Sequence, residues 1–333
     1  MGIKKTILVT GSEGYIGSVL VPKLIKKRYF VYGIDKCYYG KYNKNKKNFN
    51  LIIDDFRNLT NSFLKKIDCI VHLAAISNDP SGELNKNLTK EINYKGTIEL
   101  ALKAKKNKVK KFIFSSSCSV YGISKKEFVN ENSRVNPLTV YAQSKINAEK
   151  DLLKLVDNKF NVNILRNSTV YGYSPSFRAD LVVNNFVTCG LTHNVIKIMS
   201  DGEPWRPLID VRDLSDIIIS FLEKRDDQIN GKILNIGFNE NNIKIKDLLK
   251  KVNKYLPSCQ IIYTGEHKDS RSYKVDFSKF KSFFPEIKQK WSLDRSIIDM
   301  IDKLKKIKRL KKNFLEGKYT RLEILKNKIS ILK

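Results

Sequence analysis

The sequence has no apolar run long enough to cross a membrane, since a spanning helix needs about 20 mostly apolar residues. The N-terminus has a strand pattern and lacks the apolar core and small-residue cleavage site of a secretory signal peptide. The five cysteines are scattered, odd in number and without metal-ligand spacing. We therefore predict a cytoplasmic protein with reduced thiols, without disulfides and without a bound metal.

The sequence also lacks the features that would connect its positive charge to nucleic acid. The formal net charge is +29, but lysine far outnumbers arginine and the lysines are spread along the whole chain. Basic and aromatic residues do not alternate, and no groove-reading motif is present. Abundant Lys, Asn and Ile are typical of an AT-rich coding bias. We predict no nucleic-acid partner, while an anionic small-molecule substrate is compatible with the charge.

The stretch most suggestive of chemistry is a run of serines at the end of a buried strand pattern. The apolar segment 111–114 leads to Ser117, and a helix pattern containing Tyr141 and Lys145 follows. Residues four apart lie above one another on one helix face. If the strand end faces this helix, a hydroxyl, a phenol and an ammonium meet, which suits proton transfer to or from an alcohol. Cys118 is interpreted as a small buried filler rather than a nucleophile.

Three glycines near the N-terminus have the pattern of a phosphate-binding loop. A strand pattern over residues 3–9 runs into Gly11, Gly14 and Gly17 and then into an amphipathic helix. Glycines there let the backbone turn tightly and approach a pyrophosphate on the helix N-terminus. Asp35, at the end of the second strand pattern, would accept hydrogen bonds from a ribose 2′-OH and repel a 2′-phosphate. The pattern predicts a dinucleotide cofactor, with NAD preferred over NADP.

Strand and helix patterns alternate through the first half of the chain. Strands are predicted at residues 30–34, 51–53, 69–73, 111–114 and 162–165, and helices at 88–105 and 140–155. The two alanines after residue 73 would let a flat cofactor lie close. The alternation predicts an α/β fold, a doubly wound parallel sheet with its ligand at the strand carboxyl ends. We place this NAD-binding domain at residues 1–170 and a smaller α/β substrate-binding lobe at 171–333.

The pattern loosens after Arg166, but helices and strands still mix. Predicted elements are a helix at 181–191, a helix from Asp213 to Glu223 with Asp213 as its N-cap, a strand at 232–236, a helix at 246–255 and a strand at 260–263. From residue 293 the apolar spacing predicts one basic helix to the end of the chain. Three roles are open for it: packing on the body, a subunit contact, or a basic face on an anionic membrane.

These motifs together resemble the extended short-chain dehydrogenase/reductase family, and within it the NAD-dependent sugar-nucleotide epimerases and dehydratases. The glycine spacing resembles that family's GxxGxxG, Tyr141-Ala-Gln-Ser-Lys145 matches its YxxxK, and Ser117 falls at its Ser/Thr position. Further matches are His72-Leu-Ala-Ala75, Asn93-Tyr-Lys-Gly96-Thr97 and Leu165-Arg166 with Tyr171-Gly172. The resemblance reaches to about Trp291 and implies a Rossmann sheet.

The resemblance also implies roles for individual residues. It implies a cofactor site made by Gly11, Gly14, Tyr15, Ile16, Gly17, Asp35, Asp55, Phe56, Leu73, Ala74, Ala75, Asn93, Tyr141 and Lys145. It implies catalysis by Ser117, Tyr141 and Lys145. It implies contacts to a nucleotide-diphosphate sugar from Ser117, Thr169, Leu181, Val182, Arg206 and Arg271, and the two guanidinium groups suit the diphosphate. A homodimer through the helices at 88–105 and 140–155 is a further implication.

Four residues depart from the family pattern. Thr169 stands where an asparagine is common, Asp210 replaces a frequent histidine or tyrosine, and Cys118-Ser119 replace the Asp-Glu pair of 4,6-dehydratases. Without that pair, removal of water from C5–C6 lacks its obvious acid and base. The predicted function is therefore epimerisation of a nucleotide-diphosphate sugar, most simply at C4, through a transient keto-sugar.

Four alternative functions are open. They are a sugar-nucleotide dehydrogenase or reductase, a dehydratase, a non-catalytic NAD-binding regulator, and an oxidoreductase acting on a lipid or steroid-like alcohol. A regulator typically loses the tyrosine or the lysine, and here both are present. An uncharged alcohol would have no need of two arginines that suit phosphate groups.

Overall fold

The computed structural model of the chain describes residues 3–43, 46–124, 127–265 and 272–328. The strands are β1 (Thr6–Thr10), β2 (Phe30–Ile34), β3 (Phe49–Ile52), β4 (Cys69–His72), β5 (Lys111–Ser117), β6 (Asn161–Asn167), β7 (Thr169–Tyr171), β8 (Val195–Ile198), β9 (Trp205–Asp210), β10 (Ile233–Ile236), β11 (Asn242–Lys244) and β12 (Gln260–Tyr263). The α-helices are α1 (Gly17–Lys26), α2 (Asn61–Leu64), α3 (Asp79–Glu83), α4 (Lys86–Lys90), α5 (Thr97–Lys106), α6 (Val140–Lys154), α7 (Val182–His193), α8 (Val211–Glu223), α9 (Asp226–Ile229), α10 (Ile245–Tyr255), α11 (Ser278–Phe283), α12 (Leu293–Lys305), α13 (Leu310–Leu315) and α14 (Arg321–Lys326).

A seven-stranded sheet has the strand order β10-β6-β5-β4-β1-β2-β3. The pairings of β1 with β2 and β4, of β2 with β3 and of β4 with β5 are parallel. The strand numbers increase outward from β1 on one side of the sheet and from β4 on the other. The topological switch point of the sheet therefore lies between the carboxyl ends of β1 and β4. Open α/β sheets bind their ligands at this point. The predicted doubly wound parallel sheet is confirmed.

The chain forms two compact units, and it passes between them several times. The first unit comprises Met1–Val120, Pro137–Arg166 and Ser215–Leu234, and the second comprises Tyr121–Asn136, Asn167–Leu214 and Asn235–Lys333. The strand predicted at 232–236 is β10, which extends the main sheet rather than the smaller lobe. The sequence patterns predict one domain boundary, near residue 170. They do not indicate that the chain goes back to the first unit at Ser215–Leu234.

The second unit has its own apolar core and two small sheets, with the orders β11-β9-β7 and β12-β8. Helices α7, α10 and α12 contribute fully buried side chains to one cluster, such as Val183, Leu248 and Ile297. Strands β8 and β12 pair in parallel beside it. This mixture of strands and helices agrees with the predicted smaller α/β lobe.

Residues 293–328, the last range that the structure describes, form three helices, so the prediction of one continuous helix is wrong. Arg309 and Gly317 have φ angles of 59° and 69°, which a right-handed helix cannot contain. Ile297 and Leu304 are fully buried, and Phe314 packs against the same apolar cluster. The packing role predicted for this segment is confirmed, while a subunit contact and a membrane face stay predictions.

The helix predicted at 88–105 is confirmed, and it contains a π-helical turn at Glu91–Gly96, between α4 and α5. One other local prediction is wrong. Asp213 is not the N-cap of α8, because that helix begins at Val211. Its carboxylate instead accepts the backbone N–H of Trp291 at 3.0 Å within the second unit.

Within the described ranges, no helix is long and apolar enough to cross a membrane. The same residues contain no cluster of three or more His, Cys, Asp or Glu side chains suited to a metal ion. All five cysteines are free thiols. Leu102 of α5 is 50% exposed, and dimerisation through α5 and α6 stays a prediction.

Candidate active site

The loop between β1 and α1 is packed too tightly for a side chain at two of its three glycines. A Cβ at Gly17 would lie 2.2 Å from Gly11 O, and a Cβ at Gly11 would lie 2.9 Å from Ala74 N. Gly11 also has a φ of 71°, in the left-handed region that favours glycine. A Cβ at Gly14 would lie 3.2 Å from Gly11 O, a milder approach. The loop therefore presents backbone without side chains at the start of α1, which is the arrangement that lets a dinucleotide pyrophosphate approach a helix N-terminus closely.

Replacing Gly17 by alanine is expected to lower the free energy of unfolding by about 2–3 kcal/mol, because the added methyl overlaps fixed backbone. Gly14→Ala is the matched control, with an expected loss under about 1 kcal/mol. Urea unfolding of the two variants and the wild type measures the difference. Equal stability of Gly17→Ala and Gly14→Ala would show that the close approach at Gly17 is not a real constraint.

Asp35 directly follows β2, and its carboxylate joins two backbone segments. Oδ2 accepts the N–H of Glu13 at 3.0 Å, and Oδ1 accepts the N–H of Cys37 at 2.7 Å. The side chain is thereby fixed beside the glycine-rich loop.

Asp55 and Phe56 follow β3, and Arg57 comes directly after them. Burial alone would raise the pKa of Asp55, but hydrogen bonds from Arg57 and its charge outweigh burial and lower this pKa. Arg57 Nη2 and Nε donate to the carboxylate at 2.7 and 3.0 Å. Phe56 is buried edge-on against His72, with ring centres 4.9 Å apart. Sequence reasoning missed Arg57, although an Asp-x-Arg spacing at a strand end is a visible signal.

Leu73, Ala74 and Ala75 follow β4 and are half-buried. The hydroxyl of Thr10 accepts the N–H of Ala74 at 3.2 Å and contacts His72 Nδ1 at 2.7 Å. Burial lowers the pKa of His72 to about 3, so its imidazole is neutral. These hydrogen bonds of Thr10 therefore hold the ends of β1 and β4 together at the expected cofactor site.

Asn93 lies in the π-helical turn Glu91–Gly96 and supports the segment after β4. Its Oδ1 accepts the N–H of Ile76 at 2.8 Å, and its Nδ2 donates to Ile76 O at 3.0 Å. The oxygen and the nitrogen of the Asn93 amide therefore both hydrogen-bond to the backbone of Ile76, which follows Ala75. π-Helical turns are frequent at functional sites, and this turn directs the Asn93 amide towards the segment after β4.

The structure brings the strand end that carries Ser117 together with the helix that carries Tyr141 and Lys145. Lys145 Nζ donates to Ser115 O at 2.7 Å, two residues before Ser117. It lies 4.7 Å from the ring centre of Phe114 and 5.7 Å from that of Tyr141. Ser117 Oγ accepts the N–H of its neighbour Ser119 at 3.1 Å. Lys145 therefore fixes the face of α6 against the end of β5.

The protonation of Lys145 is perturbed by its surroundings. Burial lowers the pKa of Lys145 to about 7, while the negative charge of Glu149 acts in the opposite direction. An amine with this pKa gains or loses its proton near neutral pH. Phenol and amine within one helical turn thus provide a proton-transfer pair.

Sequence reasoning missed Glu149, which is 2% exposed on α6, one turn after Lys145. Its carboxylate accepts Ser116 Oγ at 2.5 Å. Arg166 Nη2 and Nε donate to it at 2.7 and 3.1 Å. The buried ion pair therefore joins β5, α6 and β6 directly behind Ser117. The spacing of Glu149 from Tyr141 and Lys145 already indicated a shared helix face.

Cys118 and Ser119 stand where 4,6-dehydratases carry acids. Cys118 is 1% exposed, and its Sγ donates to Arg166 O at 3.1 Å. Its interpretation as a buried filler is confirmed. Ser119 Oγ is buried and makes no hydrogen bond to any described residue. Neither side chain supplies a carboxylate at this point.

The second unit contains Thr169, Leu181, Val182 and Arg206, which are four of the residues predicted to bind substrate. Thr169 begins β7, Leu181 precedes α7, Val182 begins α7, and Arg206 lies in β9. Arg206 is 8% exposed, and its Nη1 donates to Trp205 O at 2.8 Å. Arg271 lies outside the described residues.

Asp210, which departs from the family pattern, is a structural residue of the second unit. It accepts Arg212 Nη2 at 2.7 Å and Nε at 2.8 Å, and Ser296 Oγ donates to it at 2.6 Å. A Cβ at Gly172 would lie 2.5 Å from its Oδ2. The carboxylate therefore joins β9 to α12, which gives the departure a physical reason.

Known proteins resemble this chain in sequence and in fold. A profile described as the NAD dependent epimerase/dehydratase family matches residues 7–237. A putative UDP-glucose 4-epimerase of Methanocaldococcus jannaschii is 30% identical over 231 residues, which cover 67% of this chain and 75% of that protein. A dTDP-D-glucose 4,6-dehydratase of Homo sapiens is 31% identical over 254 residues, which cover 72% of this chain and 70% of that protein.

Solved structures agree with these relatives. The UDP-glucuronic acid 4-epimerase of Bacillus cereus, in complex with UDP-glucuronic acid and NAD, superposes with a TM-score of 0.79 at 27% identity. The match covers 89% of this chain and 98% of that one. The profile, the relatives and the superposed structure lead to the same family. The chain belongs to the NAD-dependent epimerase/dehydratase family and is an oxidoreductase-type enzyme whose cofactor is NAD.

Proposed function

We propose that the protein is an NAD-dependent 4-epimerase of a nucleotide-diphosphate sugar. The observation that carries this proposal is the bond from Lys145 Nζ to Ser115 O, which fixes Tyr141 and Lys145 beside the strand end of Ser117. A tyrosine, a lysine and a serine so arranged suit an alcohol as substrate. Relatives named UDP-glucose 4-epimerase and UDP-glucuronate 4-epimerase support the sugar-nucleotide class.

The first unit offers the residues that would hold the cofactor. The glycine-rich loop would hold the pyrophosphate through Gly11, Gly14, Tyr15, Ile16 and Gly17. Asp35 would bind the adenosine ribose, Asp55 and Phe56 the adenine, and Lys145 the nicotinamide ribose, with Leu73, Ala74, Ala75 and Asn93 lining the site. When bound, NAD supplies reversible hydride acceptance at its nicotinamide ring.

Tyr141 would act as the general base. A free tyrosine has a pKa near ~10 and is a poor base at neutral pH. The Lys145 ammonium, next to the Tyr141 ring, favours the phenolate. Tyr141 Oη then takes the proton of the sugar hydroxyl, and Ser117 Oγ donates a hydrogen bond to the same oxygen. Tyr141 Oη returns this proton when the alcohol re-forms with the opposite configuration, while Ser117 Oγ again hydrogen-bonds the oxygen.

The second unit offers groups for the nucleotide part of the substrate. Arg206 would pair with the diphosphate, because a guanidinium fork matches phosphate oxygens. Arg271 would provide a second fork. Leu181 and Val182 would contact the substrate through backbone groups, and Thr169 would contribute a hydroxyl where an asparagine is common.

Epimerisation is favoured over dehydration because the acid–base pair for dehydration is missing. Cys118 Sγ is engaged by Arg166 O, and Ser119 carries no carboxylate. Elimination of water needs a group to remove the C5 proton and a group to protonate the leaving hydroxyl. A keto-sugar formed here would therefore be reduced again rather than dehydrated.

The test incubates the purified protein with UDP-, GDP-, CDP- and dTDP-sugars and resolves the products by NMR. We expect one C4 epimer to form from one nucleotide sugar, without net consumption of added NAD. A 4-keto-6-deoxy product would establish a dehydratase, and a keto-sugar that accumulates with reduced cofactor would establish a dehydrogenase. Either result would contradict the proposal, as would bound NAD with no conversion of any panel member.

A further inference from the structure

Glu13 lies in the glycine-rich loop between β1 and α1, yet it is only 1% exposed. A buried carboxylate is costly unless hydrogen bonds replace the lost water. Its Oε2 accepts the backbone N–H groups of Tyr42 and Asn43, the second at 3.0 Å. Its Oε1 accepts Asn43 Nδ2 at 3.1 Å. Glu13 therefore binds the end of the segment 36–43, which follows Asp35.

Two further contacts attach this segment to the glycine-rich loop. Asn43, also 1% exposed, donates through Nδ2 to Ser12 O at 3.1 Å. At the start of the segment, Asp35 accepts the N–H of Glu13 at 3.0 Å. The segment 36–43 is thus fastened at both ends to one residue of the loop. Its exposed members, such as Lys36 and Lys41, lie between these attachments.

We propose that Glu13 is a positioning residue that retains the bound cofactor by fastening the segment 36–43 to the glycine-rich loop. The inference rests on the proposed function in one respect, namely that Asp35 binds the adenosine ribose. A segment that is already ordered beside this site lowers the ordering cost of binding and slows release. Retention suits an epimerase, because the hydride removed from the sugar must be returned within the same turnover.

The first measurement compares the release rate of NAD from the full chain loaded with labelled NAD and chased with unlabelled NAD. We expect Glu13→Ala to release NAD about 10- to 100-fold faster than the wild type, the factor that hydrogen bonds to a charged group represent. Glu13→Gln keeps an oxygen acceptor and should give an intermediate rate. Glu286→Ala, which removes an exposed carboxylate of the second unit, is the matched control and should release NAD at the wild-type rate.

The second measurement is the rate of trypsin cleavage after Lys36 and Lys41 in the cofactor-free chain. If Glu13 fastens the segment, Glu13→Ala should be cleaved there faster than the wild type and than Glu286→Ala. This readout follows the segment itself and does not depend on catalysis. It also separates loosening of the segment from general unfolding, which would expose lysines throughout the chain.

An unchanged release rate in Glu13→Ala would overturn the proposal. Faster release with wild-type cleavage would overturn it too, because Glu13 would then act without the segment. If Glu13→Ala does not fold, Asn43→Ala replaces it, since this change removes the bonds to Glu13 Oε1 and Ser12 O, and an unchanged release rate is again the contrary result. A protein that retains NAD but converts no sugar nucleotide contradicts the proposed function alone.

Discussion

Replacing Tyr141 by phenylalanine is expected to lower kcat by about a thousandfold while NAD binding stays within about twofold of the wild type, because positioned proton transfer contributes roughly 10²–10⁴ in rate. The phenol oxygen is the only atom removed, so the ring contact with Lys145 is kept. Product formation from the active nucleotide sugar and a direct NAD titration measure the two effects separately.

Tyr94→Phe is the matched control for this change. Tyr94 Oη donates to Asp151 at 2.5 Å on the surface of the first unit, so the control also removes one phenol oxygen and one hydrogen bond. It should leave kcat unchanged. Near-normal turnover in Tyr141→Phe would refute the role of Tyr141 as the general base, and a parallel loss in Tyr94→Phe would show that the assay reports stability instead.

Replacing Glu149 by leucine is expected to lower the free energy of unfolding by about 3–5 kcal/mol, because the change leaves the Arg166 guanidinium buried without its counter-charge. Arg166 is 5% exposed, so water cannot replace the carboxylate without opening the sheet. Ser116 Oγ loses its acceptor in the same variant. Urea unfolding of the cofactor-free chain measures the loss.

The double variant Glu149→Leu, Arg166→Met separates the ion pair from simple packing. Apolar replacement of a whole buried pair is often neutral or stabilising, so most of the loss should be recovered. Failure of the second substitution to restore stability would contradict the isolated-charge explanation.

Glu149→Gln adds a kinetic test. The negative charge of Glu149 raises the pKa of Lys145, so without that charge this pKa should fall further below its ordinary value. The ammonium is then lost at lower pH, and the alkaline fall in kcat should move to lower pH.

The parts of the site that the sequence predicts are those encoded by spacing along one element. Gly11, Gly14 and Gly17 form the tight loop because their spacing fits the turn from strand to helix. Tyr141 and Lys145 share a face because four residues make one helical turn. The strand predicted at 30–34 has the observed bounds for a related reason, since its apolar pattern is local.

The parts that the sequence does not predict depend on partners distant along the chain. Glu149 is visibly on the face of Lys145, but nothing local indicates that Arg166 of β6 neutralises it. The burial of Glu13 depends on Asn43, thirty residues later. The helix predicted from residue 293 fails at Arg309, because apolar periodicity continues across a residue whose backbone is left-handed. In each case tertiary packing outweighs the local pattern.

The return of Ser215–Leu234 to the first unit has a consequence for synthesis on the ribosome. The edge strand β10 of the main sheet emerges only after residue 236 has been translated, long after its neighbour β6. Until then β6 presents an unpaired edge, which is a template for wrong pairing. The main sheet of a nascent chain is therefore completed late, and only when β10 pairs with β6. Truncation near residue 170 should yield an aggregating fragment, whereas an N-terminal piece that reaches past residue 236 carries every strand of the main sheet.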